Sequence, residues 1–139
     1  MKSSMKTSWR GKMAFDSLIG EHVVRTDASE KFGGDNSAAS PKSLMMVALA
    51  GCTGVDVVTI LQKMRVELSG FDIDVECELT DEIPSTYTKM HLIYSFKGKA
   101  LDPAKLKKAI ELSQDKYCGV SAMYRKVMEI SWEMKIEAE

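Results

Sequence analysis

The sequence is poor in cysteine and histidine, and neither residue type is grouped. The three cysteines, Cys52, Cys77 and Cys118, are odd in number and widely spaced, and no two form a CxxC pair. A disulfide-stabilised secreted scaffold carries more cysteines, in even number, so that class of protein is excluded. The two histidines, His22 and His91, lie far apart and near no cysteine. Because a structural zinc site needs closely spaced ligands, we predict no metal site.

An excess of charge is also missing. Nineteen lysines and arginines face twenty aspartates and glutamates, which leaves a net charge of −1. A chain without a global field has no general attraction for nucleic acid or for an anionic membrane, so we predict neither partner. The N-terminal segment 1–20 contains basic residues but no apolar run of the kind that an export signal requires. We therefore expect a cytoplasmic protein whose thiols rest reduced.

One apolar segment, residues 44–61, is long enough to raise the question of a transmembrane helix. Asp56 lies well inside this segment, and a carboxylate in the hydrocarbon of a bilayer costs about 2.5–3.5 kcal/mol. The rest of the chain has the pattern of half-buried strands that need a covering element. Together these features predict a buried central helix rather than a membrane span.

The order of elements predicts a single α+β domain over residues 1–139, a length that allows one hydrophobic core. The first third predicts short strands with glycine turns, followed by a polar loop over residues 27–40. Ser40 and Pro41 then form the N-cap and first-turn signal of the central helix. We expect this helix to run to about Arg65.

Strands are predicted at about 71–79, 87–97 and 127–137, because each segment alternates apolar with polar residues. A second cap-and-proline signal at 102–103 begins a helix between the last two strands, and this helix breaks at Cys118. Its predicted buried side consists of Leu106, Ala109, Ile110, Ser113 and Tyr117.

Two of the cysteines allow contrasting interpretations. Cys77 lies in the apolar row of an alternating strand, where cysteine behaves as a small hydrophobic residue, and we interpret it as structural. Cys52 lies in the central helix between Gly51 and Gly54, and each glycine inside a helix costs about 1 kcal/mol relative to alanine. Close packing of another backbone, or access of a substrate to the sulfur, would compensate. Asp56 shares the helix face of Cys52 and would raise its thiol pKa, so activation would need a cation or donor from elsewhere; the alternative is an inert buried thiol.

Cys118 lies where one helix ends and another can begin. In the first turn of the second helix, unpaired N–H groups would favour its thiolate, and Lys116 and Arg125 could add to this effect. Alternatively, Cys118 fills a corner at the break. Cys52 and Cys118 together suggest a redox pair, in which one thiolate attacks a peroxide and the other captures the sulfenic acid as a disulfide. Sequence spacing alone does not establish that the two come within bonding range.

Two motifs resemble those of the OsmC/Ohr family, and in particular its YhfA-type branch. The first extends from SPKSL at residues 40–44 through GCTGVDVV at 51–58 to KMR at 63–65, and it is similar to the central helix of the family. The second, KYCGVS at residues 116–121, is similar to the family's second cysteine motif. The order of elements agrees over nearly the whole chain.

The resemblance implies an OsmC-like fold, in which antiparallel sheets wrap around a buried central helix and two subunits form an intertwined homodimer. It also implies reduction of organic (lipid or alkyl) hydroperoxides in an oxidative stress response. Cys52 would then be the peroxidatic nucleophile and Cys118 the resolving cysteine. Electrons would come from a dithiol reductant such as a lipoyl protein, and no metal, flavin or haem cofactor is implied.

The chain departs from the family's pattern at Lys42. The active enzymes carry a glutamate there, which orients an activating arginine from the N-terminal strands. Arg10 and Arg25 are the candidates for that arginine, and the alternative for each is a solvated surface charge. Lys42 could itself stabilise a thiolate but cannot hold an arginine in place, and Asp56 belongs to the branch's own pattern.

This departure keeps a second function open, a non-enzymatic dimer that binds an apolar ligand or senses oxidation. The pKa of the Cys52 thiol discriminates between the two. A value well below 7 would favour catalysis, and one near the ordinary ~8.5 would favour the alternative.

Overall fold

The computed structural model describes residues 1–138, which divide into two compact units, Met1–Met45 and the chain from Met46 onward. The N-terminal unit contains an antiparallel sheet in the order β1-β2-β3. Its strands are β1 (Lys6–Trp9), β2 (Phe15–Ile19) and β3 (His22–Thr26). The two turns contain Gly11 and Gly20 at φ of 98° and 58°, a region that glycine adopts without steric cost. The predicted short strands with glycine turns are therefore confirmed.

The polar loop after β3 is organised around one buried carboxylate. Asp27 is 2% exposed and accepts hydrogen bonds from the N–H groups of Ala28 (2.7 Å) and Ser37 (3.0 Å) and from the Ser37 hydroxyl (2.6 Å). These bonds, with the Ser37 hydroxyl contributing most, lower the pKa of Asp27 to about 2. Gly34 completes the loop, because a Cβ there would lie 2.1 Å from the carbonyl oxygen of Ala28.

The central helix begins after a 3₁₀ turn at Pro41–Ser43 and spans Leu44–Lys63 as α1. It ends slightly before the expected Arg65, since that residue adopts a left-handed φ of 59°. One stripe of α1 is buried, formed by Leu49, Thr53, Val57 and Leu61.

The opposite face of α1 is open in the single chain. Val47 and Val55 are 63% and 68% exposed, and Val58 is also exposed. By length and composition α1 with its preceding turn could cross a membrane, but its buried stripe packs as a core helix does. The prediction of a helix buried all round is thus correct for one stripe only, because the described part of a single chain offers nothing to cover the other.

The second sheet has the order β4-β5-β6. Its strands are β4 (Gly70–Leu79), β5 (Tyr87–Gly98) and β6 (Glu129–Ala138). β4 and β5 are antiparallel, as expected, whereas β6 runs parallel to β5. The expectation of antiparallel sheets is therefore wrong for this last pair. The physical reason is the connection: a helical crossover returns the chain to the same end of the sheet, which parallel pairing requires.

That crossover contains α2 (Pro103–Leu112), a single π-helical turn (Ser113–Tyr117) and α3 (Gly119–Tyr124). Asp102 caps α2 by accepting the Ala104 N–H at 3.0 Å, as its cap-and-proline signal predicts. The expected buried side of α2 is correct except for Tyr117, which is 53% exposed. The wider π-helical turn shifts the phase of the residues after Ser113, and this rotates Tyr117 outward.

The core of this second unit lies between the sheet and the helices. The inward-facing residues of β5 and the apolar stripe of α2 are fully buried, and they comprise Met90, Leu92, Tyr94, Phe96, Leu106, Ala109 and Ile110. The alternation predicted for these strands is confirmed.

Replacing Asp27 with asparagine should destabilise the fold in a pH-dependent way. The folded-state pKa of Asp27 is lowered to about 2, so its stabilising contribution is fully present above the unfolded pKa of ~3.9 and is lost as the pH falls through 2. We expect the urea midpoint of Asp27→Asn to lie below that of wild type at pH 7. The two midpoints should converge as the pH approaches 2.

The exposed Asp81→Asn substitution provides the control, with a midpoint close to wild type throughout. A difference between Asp27→Asn and wild type that stays constant from pH 7 to pH 2 would contradict this assignment.

Candidate active site

Two of the three cysteines meet at the junction of α1 and α3. Cys52 is half-buried on α1, and Cys118 is the N-cap residue of α3, with 3% exposure. The Cys118 Sγ accepts the N–H of Ser121 at 3.3 Å. The Val120 N–H and the Cys118 thiol both act on the Cys52 thiol as hydrogen-bonding neighbours. Both thiols are reduced.

The environment of Cys52 favours the protonated thiol. Burial raises its pKa most, and the neighbouring Cys118 and the charge of Asp56 raise it further. The N–H of Val120 acts in the opposite direction. Asp56 therefore raises the pKa of Cys52, as expected. The donor from elsewhere in the fold is the backbone N–H of Val120. These opposing effects leave Cys52 predominantly a thiol at neutral pH.

The two glycines that flank Cys52 have different surroundings. A Cβ on Gly54 would lie 3.3 Å from the Cδ1 of Ile73, so this glycine allows the sheet to approach the helix closely. A Cβ on Gly51 would meet nothing within 4 Å. Gly54 therefore packs closely against a side chain of the sheet, rather than against another backbone as was expected, while the space at Gly51 stays open in the single chain.

A chain of hydroxyl groups lies beneath the two cysteines. Thr53 Oγ1 is 2.7 Å from Tyr94 Oη and 2.7 Å from Ser113 Oγ. Ser113 in turn donates to Asp56 Oδ2 at 2.9 Å. These three hydroxyl-bearing residues are fully buried, and they connect α1, β5 and the π-helical turn. This hydrogen-bond chain ends at the Asp56 carboxylate, which lies one helical turn after Cys52.

At its other end, this hydrogen-bond chain reaches the guanidinium of Arg125. Gln114 Nε2 donates to Tyr94 Oη at 2.8 Å, and the Arg125 guanidinium donates to both the side-chain oxygen (2.9 Å) and the backbone oxygen of Gln114. Arg125 was expected to favour the Cys118 thiolate, but in the structure its hydrogen bonds go to Gln114. Sequence reasoning missed this network, although one signal was present: polar residues recur on the buried faces of three separate elements.

The other candidate site residues lie in the N-terminal unit. Arg10 and Arg25 both bind the Asp16 carboxylate, at 3.2 and 2.6 Å, and Lys42 lies in the 3₁₀ turn that precedes α1. The Asp16 pairing gives both arginines a local structural partner. Their assignment as activating residues remains a prediction.

An apolar cleft of about 420 Å³ begins at Asp56. Its lining is largely apolar, with a lysine among the polar groups, and comprises Thr59, Ile60, Lys63, Met64, Leu112 and Tyr117. The cleft offers space for an apolar molecule beside the carboxylate that follows Cys52 on its helix face.

Comparison with known proteins decides the family. The family model described as OsmC-like protein matches residues 34–133. Protein YhfA of Escherichia coli is 32% identical to this chain over 103 residues, which cover 74% of this chain and 77% of YhfA. The chain belongs to the OsmC-like family.

Solved structures of other proteins show the same fold. A hypothetical protein from Aquifex aeolicus is 28% identical, with a TM-score of 0.82 over 99% of this chain and 98% of that one. The organic hydroperoxide resistance protein OhrB of Bacillus subtilis is 18% identical, with a TM-score of 0.67 over 95% and 98% of the two chains. The likeness to OhrB is a likeness of fold alone.

Replacing Cys118 with alanine should lower the pKa of the Cys52 thiol. The substitution removes a neighbouring group whose hydrogen bond and charge both oppose ionisation of Cys52. We expect the midpoint of pH-dependent alkylation at Cys52 to lie above the ordinary ~8.5 in wild type, and to fall in Cys118→Ala. Mass spectrometry of the peptide that contains Cys52 measures it without interference from Cys77.

Cys77→Ala is the matched control and should leave the Cys52 midpoint unchanged. A wild-type midpoint below 7 would contradict the finding that the surroundings of Cys52 raise the pKa of its thiol.

Proposed function

We propose that this protein reduces organic hydroperoxides by a two-cysteine mechanism, with Cys52 peroxidatic and Cys118 resolving. The observation that carries the proposal is the proximity of the two thiols, since the Cys118 thiol acts on the Cys52 thiol through both hydrogen bonding and charge. A sulfenic acid formed on Cys52 would have its resolving thiol nearby from the start. A backbone N–H group near each sulfur is positioned to stabilise the thiolate form when it arises.

The chemistry proceeds in three steps. The Cys52 sulfur attacks the distal oxygen of the peroxide, which releases an alcohol and leaves a sulfenic acid. The Cys118 thiol then displaces water from that sulfenic acid and forms a disulfide. A dithiol, such as a lipoyl protein, reduces the disulfide and returns both thiols.

The cleft that begins at Asp56 supports an alkyl or acyl hydroperoxide as the substrate. Its lining includes Ile60, Met64 and Leu112, and methionine and leucine adapt to flexible apolar chains. The Bacillus subtilis protein of the same fold, OhrB, is named for organic hydroperoxide resistance, which agrees with this substrate class. We place the reaction in the cytoplasm, where reduced dithiols are available.

One observation favours the alternative of a non-enzymatic dimer that binds an apolar ligand or senses oxidation. The pKa of Cys52 is raised, whereas an activated peroxidatic cysteine is expected to ionise readily. A sensor or binding protein needs no fast reaction with peroxide. The two functions therefore differ in the rate at which Cys52 is oxidised.

Thiol counting before and after one equivalent of a lipid hydroperoxide tests the enzymatic function. We expect wild type to lose two thiols and to form a Cys52–Cys118 disulfide, at least tenfold faster than free cysteine reacts. Cys52→Ser should abolish the reaction, and Cys118→Ser should leave a sulfenic acid on Cys52 that a dimedone-type reagent traps.

Cys77→Ser is the control and should retain the wild-type rate. If Cys52→Ser keeps full activity, or if all three wild-type thiols survive, the peroxidase function is refuted and the alternative is favoured.

We further propose that the protein works as a homodimer. Val47, Val55 and Val58 form an exposed apolar face on α1, and Gly51 on the same face leaves open space. A second copy of this helix would remove these side chains from water, at roughly 25 cal/mol per Å² of apolar surface. The intertwined homodimer that the family resemblance implies would cover this face.

A charge placed in the middle of that face should dissociate the dimer. We expect Val55→Lys to be monomeric at micromolar concentration in sedimentation or light-scattering measurements, because a buried unpaired ammonium opposes association. Val127→Lys is the matched control, since Val127 is also largely exposed (75%, against 68% for Val55) but lies before β6 rather than on α1. A Val55→Lys variant that remains fully dimeric would contradict the assignment of this face.

A further inference from the structure

The hydrogen-bond chain under the cysteines has one direction only. A guanidinium only donates, so Arg125 fixes the Gln114 amide with its oxygen toward Arg125 and its nitrogen toward Tyr94. At the other end, Asp56 Oδ2 accepts from the Ser113 hydroxyl, so the single proton of Ser113 points to Asp56. Thr53 must then donate to Ser113, and Tyr94 to Thr53.

All the protons of this chain therefore point toward Asp56. Burial raises the pKa of Tyr94, which keeps its phenol protonated and able to donate. The chain cannot reverse, because Tyr94 would then need an acceptor at Gln114, where Arg125 holds the amide nitrogen in place. A chain that cannot reverse does not conduct protons away, but it holds its terminal carboxylate in one position.

We propose that Asp56 is the proton shuttle of the peroxidase reaction, held beside Cys52 by the directed chain Arg125–Gln114–Tyr94–Thr53–Ser113. This inference rests on the proposed peroxidase function and assigns the base that the Cys52 thiol requires in that reaction. A thiol that rests protonated needs a base when it attacks the peroxide. Asp56 lies on the Cys52 face of α1, at i+4, and its charge acts on that thiol.

The S–H proton of Cys52 passes to Asp56, directly or through one water, as the sulfur attacks the distal peroxide oxygen. The O–O bond breaks, and its electron pair leaves on the alkoxide. Asp56 returns the proton to that alkoxide, so the products are an alcohol and the Cys52 sulfenic acid. Sulfur is oxidised, the peroxide is reduced, and Asp56 ends in its starting form.

Few other ionisable groups are near this shuttle. The Cys52 thiol is influenced by Cys118 and by Asp56, and the cleft at Asp56 is lined further along by Lys63 and Tyr117. Ser113, Thr53, Tyr94, Gln114 and Arg125 act through Asp56 and are positioning residues. Asp56 is the one group assigned to the moving proton.

Two rates measured on the Asp56→Asn variant separate a shuttle from a simple electrostatic effect. Asparagine keeps an acceptor for Ser113, so the fold is maintained while the base is lost. Loss of the negative charge lowers the pKa of Cys52, so alkylation of Cys52 by iodoacetamide at pH 7.5 should become faster. Oxidation of Cys52 by cumene hydroperoxide should instead become slower, by about 10²-fold, as is typical when a general acid–base group is removed.

Faster alkylation combined with slower oxidation by the peroxide identifies Asp56 as the proton shuttle. If both rates increase together, Asp56 acts only through its charge and the inference is overturned. A peroxide rate within twofold of wild type overturns it equally. Asp72→Asn, an exposed carboxylate of β4, is the matched control and should leave both rates unchanged.

Arg125→Gln tests the positioning chain at an exposed residue whose replacement does not threaten the core. Without the guanidinium, the Gln114 amide can turn over and the chain loses its fixed direction. We expect a several-fold fall in the peroxide rate with an unchanged alkylation rate; equal peroxide rates would refute the role of the chain.

Measurements on the wild-type protein distinguish a failure of the peroxidase function from a failure of the shuttle. Oxidation of wild-type Cys52 no faster than free cysteine would refute the peroxidase itself. Fast wild-type oxidation with an unaffected Asp56→Asn variant would refute only the shuttle.

Discussion

The hydroxyl of Thr53 is the contact on which the geometry of the site depends. It joins α1 to β5 through Tyr94 and to the π-helical turn through Ser113, at 2.7 Å in both cases. Buried hydroxyls that lose their partners cost about 1–3 kcal/mol each, so these bonds fix the rotation of α1 about its axis. Cys52 precedes Thr53, and that rotation directs its sulfur toward Cys118.

The π-helical turn performs two tasks that an α-helical turn could not combine. Its wide i→i+5 bond, from the Cys118 N–H to the Ser113 carbonyl at 2.7 Å, keeps Ser113 directed into the core while the chain leaves the helix. Cys118 can then become the N-cap of α3, which places the N–H groups of Val120 and Ser121 at the two sulfurs. The outward rotation of Tyr117 is a consequence of the same extra residue.

Much of the fold could be predicted from local pattern, and the active site only in part. Period-two alternation located β4, β5 and β6, and cap-and-proline signals located α1 and α2, because these depend on neighbouring residues. The parallel direction of β6 depends on how the whole crossover packs, and no local pattern encodes it. The cysteines were found through their motifs, whereas Tyr94 and Gln114 were missed, since their role arises only when distant elements meet.

The proposed reaction requires the site to reconcile the burial of Cys52 with its activation as a nucleophile. Burial and the nearby carboxylate keep Cys52 protonated, and a thiol reacts far more slowly than a thiolate with most electrophiles. The family resemblance implies a glutamate at the position of Lys42, where it would orient an arginine. In this protein a carboxylate lies on α1 as Asp56, and the Arg125 guanidinium is linked to it through the buried chain. Charges of both signs are thus present, separated by hydroxyl groups rather than paired directly, and the carboxylate stays available to the sulfur.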